Sequence, residues 1–516
     1  MALLRSAATV GLLTLMSRVL GFVRDMLTAA FLGAGPVTDA FFVAQRLPNL
    51  FRSLFAEGAF NVAFVPLFAG AVATEGQAAA RRFAEDALAL LVTALFLFVV
   101  AAEVFAPAFV RVLAPGFADE PEKFALTVAL ARVTFPYLLY ISLASLQSGV
   151  LNSVERFAAA AATPMLLNAF LIGAMLLVRP VNGYVLAWAI TASGFAQFTW
   201  LMVSCWRAGL PLAMPWPPRL TPAVKQLLRL MLPGTFGAGV TQLNLVVSTA
   251  IASLLPTGAV SYLYYADRLN QLPLGVVGIA VSTAILPALS RQVRTGDELG
   301  AQASQNRGLE LALLLTLPAA VGLGLLAHPI LETLFQRGAF DAAATAATAP
   351  ALTAYAAGLP AFVLIKILAP GFFARHDTGT PVKIAAMAMA VNAAGTVLLG
   401  FVLPWAHVGI AIAGSIAGWV NALALMTVLH RRGHFSLDRQ SKRALPRIAA
   451  AAVGMGVLLV AATGLAGPSL AGTLVQRLAV LAGLVVLGLA SFALLVLVFG
   501  AAQWRDVLRR LRRQAA

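Results

Sequence analysis

Residues 17–60 read SRVLGFVRDMLTAAFLGAGPVTDAFFVAQRLPNLFRSLFAEGAF, and this stretch decides the class of the fold. It contains two apolar segments, each of a length that suits a bilayer. The same stretch carries seven charged side chains: Arg18, Arg24, Asp25, Asp39, Arg46, Arg52 and Glu57. Because a charge in hydrocarbon costs roughly 3 kcal/mol on insertion scales, such side chains face a wet cavity or a partner. So many charges within two neighbouring helices indicate a polar chamber inside the membrane.

The composition places the whole chain among integral membrane proteins. Of its 516 residues, 60% are hydrophobic and 11% are charged, whereas roughly 25% of the residues in soluble domains are charged. The net charge of +16 comes from basic residues that lie mostly in short connections, which is typical of membrane orientation and lipid contact. We therefore predict no nucleic-acid partner. The single Cys205 excludes a disulfide framework.

Segments of about 20 apolar residues, the length of a transmembrane helix, recur along the chain. Fourteen such segments lie near residues 7–31, 36–70, 86–112, 124–153, 160–178, 184–206, 222–253, 259–290, 307–327, 347–373, 381–402, 407–429, 445–467 and 472–502. The N-terminal residues lack a small-residue cleavage site, so we predict the start of the first span there and not a signal peptide. The predicted fold class is an all-α polytopic membrane protein with 14 transmembrane helices.

Lysine and arginine residues are distributed unequally between the two sides of this topology. If both termini are cytoplasmic, that side carries 24 Lys and Arg, the opposite side carries 5, and the remaining 7 of the 36 lie within spans. The positive-inside rule therefore favours cytoplasmic termini and an even number of spans.

An internal repeat relates the two halves of the chain. AQRL at residues 44–47 matches ADRL at 266–269, and LGAGPVTDAF at 32–41 resembles LLPTGAVSYLY at 254–264. The offset between the two copies covers six spans, so both copies have the same orientation. This predicts two six-helix lobes, residues 1–212 and 213–434, related by a parallel repeat. Residues 435–516 stand outside the repeat and hold two additional spans and a basic cytoplasmic tail.

The charged residues of the first span fall on two adjacent faces of one helix. Ser17, Gly21 and Arg24 share one face, and Arg18, Gly21 and Asp25 share the next. Gly21 lies between them and permits close approach of a helix or a ligand.

The second span and its counterpart in the other copy continue the pattern. Gln45, Asn49 and Arg52 form one stripe, while Asp39 and Arg46 share another. By the repeat, Arg268 is the counterpart of Arg46, and Asp267 precedes it.

Internal salt bridges, such as Arg24 with Asp25 or Asp39 and Asp267 with Arg268, account for part of this set. The first eight spans nevertheless hold six arginines against three aspartates: Arg18, Arg24, Arg46, Arg52, Arg132 and Arg268 against Asp25, Asp39 and Asp267. An unpaired buried charge has a high free-energy cost, so the excess of arginines over aspartates indicates that an anionic ligand, or water held for one, contacts them. The planar fork of arginine suits phosphate. We therefore predict an anionic substrate, a phosphate or a diphosphate.

Other motifs favour simpler interpretations. Lys366 is interpreted as a snorkelling side chain, Gly414 and Gly418 as helix packing, and residues 328–344 as a short interfacial helix. His430 and His434 are four residues apart but have no nearby acid or thiol, so we predict no metal site. No Walker A, GxSxG, HExxH or Rossmann pattern occurs. The sequence therefore predicts no enzyme, and any transport draws on an ion gradient, the membrane potential or the substrate's own gradient.

Four stretches carry a resemblance to a known family. SRVLGFVRD, TDAFFVAQRLPNLFRSLFAEGAF, YYADRLNQLPLGVVGIA and LFQRGAFD resemble the MurJ (MviN) lipid II flippase family of the MOP exporter superfamily. The resemblance implies two six-helix lobes around a central cavity, a lipid-facing groove on the last two helices, alternating access and a bacterial cytoplasmic (inner) membrane location. It implies that lipid II, undecaprenyl-diphosphate-linked disaccharide pentapeptide, passes from the inner to the outer leaflet for peptidoglycan synthesis.

The resemblance also assigns site residues. The family's cavity arginines match Arg18, Arg24, Arg52 and Arg268, and its cavity acids and small residues resemble Asp25, Asp39, Ser17, Gly21, Asn49 and Glu57. Arg46 ranks lower. No cofactor is implied, although some members are thought to bind sodium, for which Asn244, Asp377 and Asn392 are the nearest polar residues. Coupling to sodium, to protons or to the membrane potential stays open. The implied partners are lipid II, membrane lipids and other cell-wall synthesis proteins.

Two alternatives remain at this point. One is an exporter of the same superfamily for drugs or for another polyprenyl-diphosphate-linked glycan. An exporter of cationic drugs should have an anionic cavity, whereas the cavity predicted here is cationic. The other is a membrane scaffold that recruits cell-wall enzymes through its basic loops, which leaves the embedded arginines unexplained.

Overall fold

The computed structural model of the chain describes residues 2–53, 59–470 and 472–500. Within these residues the backbone is helical, with one isolated bridge between Arg337 and Phe340. The α-helices are α1 Ala2–Leu32, α2 Pro36–Arg52, α3 Ala59–Thr74, α4 Gln77–Val104, α5 Ala106–Leu113, α6 Pro121–Thr134, α7 Pro136–Ser153, α8 Phe157–Leu177, α9 Gly183–Arg207, α10 Pro222–Ser253, α11 Ala259–Arg294, α12 Glu298–Leu325, α13 Ala327–Leu334, α14 Ala342–Phe373, α15 Gly379–Val397, α16 Ala406–Arg431, α17 Arg439–Leu470 and α18 Leu474–Val498. A 3₁₀ turn covers Pro115–Asp119, and a π-helical turn covers Leu398–Val402.

The helices follow the predicted spans. Each of the fourteen predicted segments overlaps one helix or a pair of consecutive helices, and within the described residues ten helical segments are long and apolar enough to cross a membrane. The other four segments contain α1, α2 with α3, α10 and α11. Three of these four hold the embedded charges of the sequence pattern, and α10 is described only in part. The chain is an all-helical multi-span membrane protein.

Prolines divide or loosen some of these spans. Pro136 ends the first part of the predicted segment 124–153, which consists of α6 and α7. Pro48 lies inside α2 and has no N–H to give to the carbonyl of Ala44. The Thr134 hydroxyl donates to that carbonyl at 3.3 Å, so a neighbouring helix satisfies the acceptor that the proline leaves open.

The chain divides into two compact units. Unit 1 comprises Met1–Ser261 together with Arg337–Phe340, and unit 2 comprises Tyr262–Gln336 and Asp341–Ala516. Unit 1 therefore contains α1 to α10 and the first turn of α11, and unit 2 contains the remaining helices. The three-part division at residues 212 and 434 follows from the sequence repeat and stays a prediction.

Each unit uses the same interhelical hydrogen bond. In unit 1, the Thr191 hydroxyl on α9 donates to the carbonyl of Val133 on α6. In unit 2, the Ser415 hydroxyl on α16 donates to the carbonyl of Ala354 on α14 at 2.7 Å. Thr191 and Ser415 are separated by nearly the same number of residues as AQRL and ADRL, the two copies of the repeated motif. The same holds for Val133 and Ala354. The two bonds therefore occupy equivalent positions of the repeat.

A second pair of contacts repeats in the same way. A Cβ on Gly194 would lie 2.7 Å from the ring of Tyr137, and a Cβ on Gly418 would lie 3.0 Å from the ring of Phe362. In both units an aromatic side chain therefore packs directly on a glycine of the facing helix. This is the helix packing predicted for Gly418, and it supports the parallel repeat within the fold.

The last two helices form a layer in unit 2. Gly454 of α17 faces Leu495 of α18, and Gly456 of α17 faces Val321 of α12. On the outer side, Val457 is 65% exposed and Val486 is 64% exposed. An apolar surface of this kind is typical of contact with lipid tails.

A turn after α13 closes the C-terminal end of α1. The N–H of Ala339 donates to the carbonyl of Ala30 at 2.8 Å, which is one of the carbonyls that a helix end leaves without a partner. Gly33 and Gly338 both have positive φ, +69° and +59°, and a Cβ on Gly338 would lie 2.2 Å from the carbonyl oxygen of Ala30. The turn belongs to the LFQRGAFD motif, so that motif has a structural role at the end of α1.

Replacing Gly338 with alanine should destabilise unit 1. A left-handed backbone costs a non-glycine residue roughly 1–2 kcal/mol, and here the new methyl group also collides with the Ala30 carbonyl. Thermal unfolding of the purified protein in detergent measures the effect. Gly209→Ala is the matched control, because Gly209 has φ +75° and no atom within 4 Å of its Cβ position. Equal melting temperatures for the two variants would contradict the steric argument.

Candidate substrate-binding site

Arg24 lies at the centre of a buried polar cluster in unit 1. It is 7% exposed and Asp25 is 3% exposed. Two guanidinium nitrogens of Arg24, Nε and NH2, donate to Oδ1 of Asp25 at 3.0 and 2.7 Å, and NH1 donates to Oδ1 of Asn168 at 3.0 Å. The ion pair between Arg24 and Asp25 that the sequence suggested is therefore present.

Asn168 ties α8 to α1 at this point. Its amide nitrogen donates to the carbonyl of Ser17 at 3.0 Å, while its oxygen accepts from Arg24. A Cβ on Gly21 would lie 3.6 Å from the Asn168 amide nitrogen, so the small residue leaves room for this side chain. Sequence reasoning missed Asn168, and its one signal is an asparagine inside an otherwise apolar span.

The second half of α2 presents a polar stripe. Gln45, Asn49 and Arg52 are half-buried, whereas Leu47, on the opposite side of the helix, is buried. The amide of Asn49 donates to the carbonyl of Gln45 at 3.0 Å. The stripe predicted from the helical spacing is therefore present on one face of α2.

Arg46 reaches a different helix. Its guanidinium NH1 donates to the hydroxyl of Thr249 on α10 at 2.5 Å, and Thr249 in turn donates to the carbonyl of Leu245. This contact joins α2 to α10 within unit 1. The lower rank of Arg46 among the candidate substrate contacts stays a prediction.

Asp39 is a helix-capping carboxylate. Its side chain is 1% exposed, and it accepts the N–H of Gly258 at 2.7 Å, the N–H of Ser261 at 2.9 Å and the hydroxyl of Ser261 at 2.6 Å. These donors belong to the first turn of α11 and to the residue before it, where a negative charge is favourable. Ser261 follows Asp39 by 222 residues, so equivalent positions of the repeat meet here.

Lys123 supplies the positive charge beside Asp39. Its ammonium lies 3.5 Å from Asp39 Oδ2 and 3.2 Å from Glu120 Oε1, with 3% of its side chain exposed. It also donates to the hydroxyl of Thr257 at 3.2 Å and sits 4.2 Å from the centre of the Phe117 ring. The predicted span begins at residue 124, so the sequence pattern placed Lys123 in the preceding connection. In the structure Lys123 lies in the first turn of α6.

Arg18 and Ser17 lie at a cavity of about 360 Å³ beside α8. Asn152 and Pro164 contribute to its wall. Both Ser17 and Arg18 are half-buried, so the guanidinium has access to water in this cavity.

Arg268 and Asp267 each bond to a neighbour one helical turn away in unit 2. The guanidinium of Arg268 donates to the Tyr264 hydroxyl at 3.0 Å and lies 5.0 Å from the centre of the Tyr264 ring. Asp267 accepts from the amide of Gln271. The predicted meeting of Arg268 with the arginines of unit 1 in one chamber stays a prediction.

The remaining candidates fall in three places. Glu57 lies outside the described residues. Arg132 is exposed, and its Nε donates to the carbonyl of Glu103 at 3.1 Å, so it does not belong to the Arg24 cluster. Lys366 is exposed on α14.

Of the polar residues considered for sodium, Asn244 belongs to α10 in unit 1, whereas Asp377 and Asn392 belong to unit 2. Asp377 sits in the connection between α14 and α15, where its carboxylate accepts the N–H of Thr380 at 2.9 Å and a guanidinium N–H of Arg432 at 2.6 Å. Asn392 is buried in α15. Among the residues that the structure describes, no group of three or more His, Cys, Asp or Glu side chains is placed to hold a metal ion.

The Asp377 contact gives a pH-dependent contribution to stability. Hydrogen bonds from Thr380 and from the guanidinium of Arg432 hold the pKa of Asp377 below its usual value. A lowered pKa in the folded state means that this stabilisation is present above about pH 4, the unfolded pKa, and is lost as the pH falls further. We expect Asp377→Asn to lower the melting temperature at pH 7, by an amount that fits an exposed pair of about 1 kcal/mol or less.

At pH 3 the difference in melting temperature between wild type and Asp377→Asn should be smaller than at pH 7. Thermal unfolding in detergent at both pH values measures it, with Arg432→Ala as the control that removes the cation instead. The reasoning is wrong if the difference between wild type and Asp377→Asn is the same at pH 3 and at pH 7.

The charges of residues 17–52 do not balance. This stretch of α1 and α2 carries four arginines and two aspartates: Arg18, Arg24, Arg46 and Arg52 with Asp25 and Asp39. Asp25 lies against Arg24, and Asp39 lies against Lys123. The two carboxylates of the stretch are therefore already engaged with cations. The stretch therefore keeps a net positive charge, and an anionic partner for its arginines stays a prediction.

Comparisons with known proteins relate the chain to one family. The family model described as lipid II flippase MurJ matches residues 28–496. The probable lipid II flippase MurJ of Rhizobium meliloti (strain 1021) is 46% identical over 525 residues, which cover 100% of this chain and 97% of that protein.

Solved structures show the same fold. A lipid II flippase MurJ in an inward closed conformation superposes with a TM-score of 0.80 at 24% identity, covering 97% of this chain and 99% of that chain. An inward-facing multidrug resistance MATE transporter of the MOP superfamily gives a TM-score of 0.68 at 14% identity, with 80% and 94% covered. The match to the family model over most of the length, together with the Rhizobium relative over the whole length, shows that this chain belongs to the MurJ lipid II flippase family.

Proposed function

We propose that the chain moves lipid II from the cytoplasmic to the outer leaflet of the bacterial cytoplasmic membrane by alternating access. The observation that carries the proposal is the relationship over the full chain to a probable lipid II flippase. The buried cluster around Arg24 supports it, because a membrane-embedded guanidinium suits the diphosphate of this substrate.

The substrate diphosphate is the group that the arginines recognise in this scheme. Arg18, Arg24, Arg52 and Arg268 attract it in the inward-open state, and Asn168 holds the Arg24 guanidinium in place through its side-chain oxygen. The sugars and the peptide stay in the wet chamber. The lipid tail stays in the bilayer along α17 and α18, whose exposed valines suit hydrocarbon.

Binding then favours closure of the inner gate. A bound anion neutralises the positive charge of the chamber, and this lowers the free-energy cost of excluding water from the arginines when the gate closes. The two lobes rock about the site and release the lipid to the other leaflet. The membrane potential assists the return step, since one charge that crosses it gains about 2.3 kcal/mol per 100 mV. Sodium or protons are alternative coupling ions.

The orientation in this proposal has both termini in the cytoplasm. It rests on the excess of 24 over 5 Lys and Arg residues in the connections. Other cell-wall synthesis proteins would consume lipid II on the outer side.

Flippases of other polyprenyl-diphosphate-linked glycans would use the same arginines, so the choice of glycan rests on the family. The scaffold alternative does not account for Arg24, whose guanidinium is buried with its carboxylate and amide partners.

A depletion experiment tests the proposal. A bacterial strain that lacks its own lipid II flippase is complemented with this chain, and lipid-linked precursor is measured on the two faces of the membrane. We expect growth and lipid II on the outer face. Growth failure at normal expression, with lipid II retained on the inner face, would overturn the proposed function. Accumulation of a different polyprenyl-linked glycan on depletion in the native host would favour the other exporter.

A further inference from the structure

A groove follows the beginning of α1 on the side of α8 and lies within unit 1. It consists of two adjoining cavities of about 440 and 360 Å³ that share Phe157 in their walls. We call it the α1–α8 groove and define it by its polar lining: Thr9, Arg156, Ser204 and Arg207 in the first cavity, and Thr14, Ser17, Arg18 and Asn152 in the second.

The groove is rich in positive charge. Arg156 and Arg207 line the first cavity and Arg18 lines the second, with Glu155 as the carboxylate of the lining. Arg156 and Arg207 are exposed, and Arg18 is half-buried. Within the described ranges, none of these three guanidinium groups has a hydrogen bond or an ion pair with another protein group. Three arginines around two adjoining cavities favour an anion as the ligand.

The beginning of α8 adds further donors to the first cavity. Phe157, Ala158 and Ala159 are its first residues and lie in the cavity wall. The residue before them, Arg156, makes no side-chain capping bond. The free N–H groups of a first helical turn attract anions, so they act in the same direction as the arginines.

Exposed tryptophans mark the depth of the groove in the membrane. Trp200 and Trp206, on the last two turns of α9, are 43% and 68% exposed, and the Trp200 indole donates to the carbonyl of Ala159 at 3.1 Å. Tryptophan collects at the level of lipid headgroups. Leu12 and Leu15 of α1 are 60% and 56% exposed, as side chains beside lipid tails are. The occupant is therefore a lipid whose phosphate lies at headgroup level.

We propose that the α1–α8 groove binds the phosphate of an anionic lipid headgroup, with Arg156 and Arg207 as its charged contacts. Arg18 follows Thr9 by nine positions on α1, a rise of about 14 Å, and Arg24 lies about 9 Å further along the helix. The groove thus leads from the headgroup level towards the Arg24 cluster. Its phosphate comes from a membrane phospholipid or from the lipid-linked diphosphate of the substrate, and the second source rests on the proposed function.

Native mass spectrometry of the purified full chain tests the proposal. The probes are phosphatidylglycerol, undecaprenyl diphosphate and, as the zwitterionic reference, phosphatidylcholine. The variant is Arg156→Ala with Arg207→Ala, and Arg156→Lys with Arg207→Lys preserves the charge. The matched control is Arg82→Ala with Arg219→Ala, which removes two exposed arginines of unit 1 outside the groove.

We expect the alanine pair to bind anionic lipid about ten-fold more weakly than wild type, with phosphatidylcholine unchanged and most binding retained by the lysine pair. Weakening of both anionic lipids identifies a general phosphate site, and weakening of undecaprenyl diphosphate alone identifies a docking position for the substrate. Unchanged binding, or an equal loss in the Arg82 and Arg219 control, overturns the proposal. Complementation by the alanine pair is measured in parallel, so that unchanged lipid binding with normal growth refutes the groove and leaves the proposed function intact.

Discussion

Arg24→Ala should fail to rescue a strain depleted of its lipid II flippase. Two separate effects act in the same direction. The substitution removes the guanidinium that the proposed function assigns to the substrate's diphosphate, and it leaves the carboxylate of Asp25, 3% exposed, without the cation that lies 2.7 Å away. Breaking a buried pair from one side costs about 3–5 kcal/mol, which corresponds to a factor on the order of a hundred or more in an equilibrium.

A paired substitution separates the two effects. Arg24→Gln with Asp25→Asn keeps polar groups of similar size and removes both charges, so the buried ion is no longer orphaned. If Arg24 binds the diphosphate, this double variant should recover thermal stability but not complementation. If the pair is only structural, both should recover. The measurements are melting temperature in detergent, amount of protein in the membrane, and growth of the depleted strain.

Asn168 offers a milder comparison. Asn168→Leu keeps the volume and removes both the acceptor for Arg24 and the donor to the Ser17 carbonyl. We expect it to lower transport less than Arg24→Ala does, because the charge of Arg24 and its two bonds to Asp25 remain and only the bond that fixes NH1 is lost. Full activity in Asn168→Leu would show that the α8 contact has no part in positioning the guanidinium.

These residues show what a sequence can and cannot specify. Spans are local, since the bilayer imposes a fixed apolar length, and the prediction of an all-helical multi-span fold is confirmed. The cost of embedded charge is also local, and it identified Arg24 and Asp25. Asn168 was missed because it lies 144 residues from Arg24, and its contact depends on how α8 packs on α1.

Asp39 and Lys123 illustrate the same division. The sequence identified Asp39 as an embedded acid, but its donors, Gly258 and Ser261, lie 219 and 222 residues further along the chain. Lys123 resembled a loop residue because it follows Pro121 and Glu122 at the start of α6. Only the tertiary fold places it against Asp39. The sequence could therefore predict that Asp39 is an embedded acid, but it could not predict which groups contact it.

Asp39→Ala should be more destabilising than an alanine substitution of any other acidic candidate in the site. It removes the acceptor for two backbone N–H groups and for the Ser261 hydroxyl at the start of α11, and loss of a helix cap alone costs about 1 kcal/mol. It also takes one of two carboxylates away from Lys123, whose side chain is 3% exposed and which keeps Glu120 at 3.2 Å, so this loss adds a part of the roughly 3–5 kcal/mol that breaking a buried pair costs. We expect little folded protein in the membrane.

Asp39→Asn should be intermediate, because one oxygen can still accept from α11 while the charge opposite Lys123 is lost. Asp39→Ala with Lys123→Met should recover part of the stability, since the double variant removes the buried ammonium beside Phe117 that has lost one of its two carboxylates. Melting temperature and transport per folded molecule are measured for each variant. If Asp39 acts only by stabilising the start of α11, transport per folded molecule stays at the wild-type level across the series, while the amount of folded protein falls with stability. A variant as stable as wild type that still does not transport would instead show that the Asp39 carboxylate acts on the substrate.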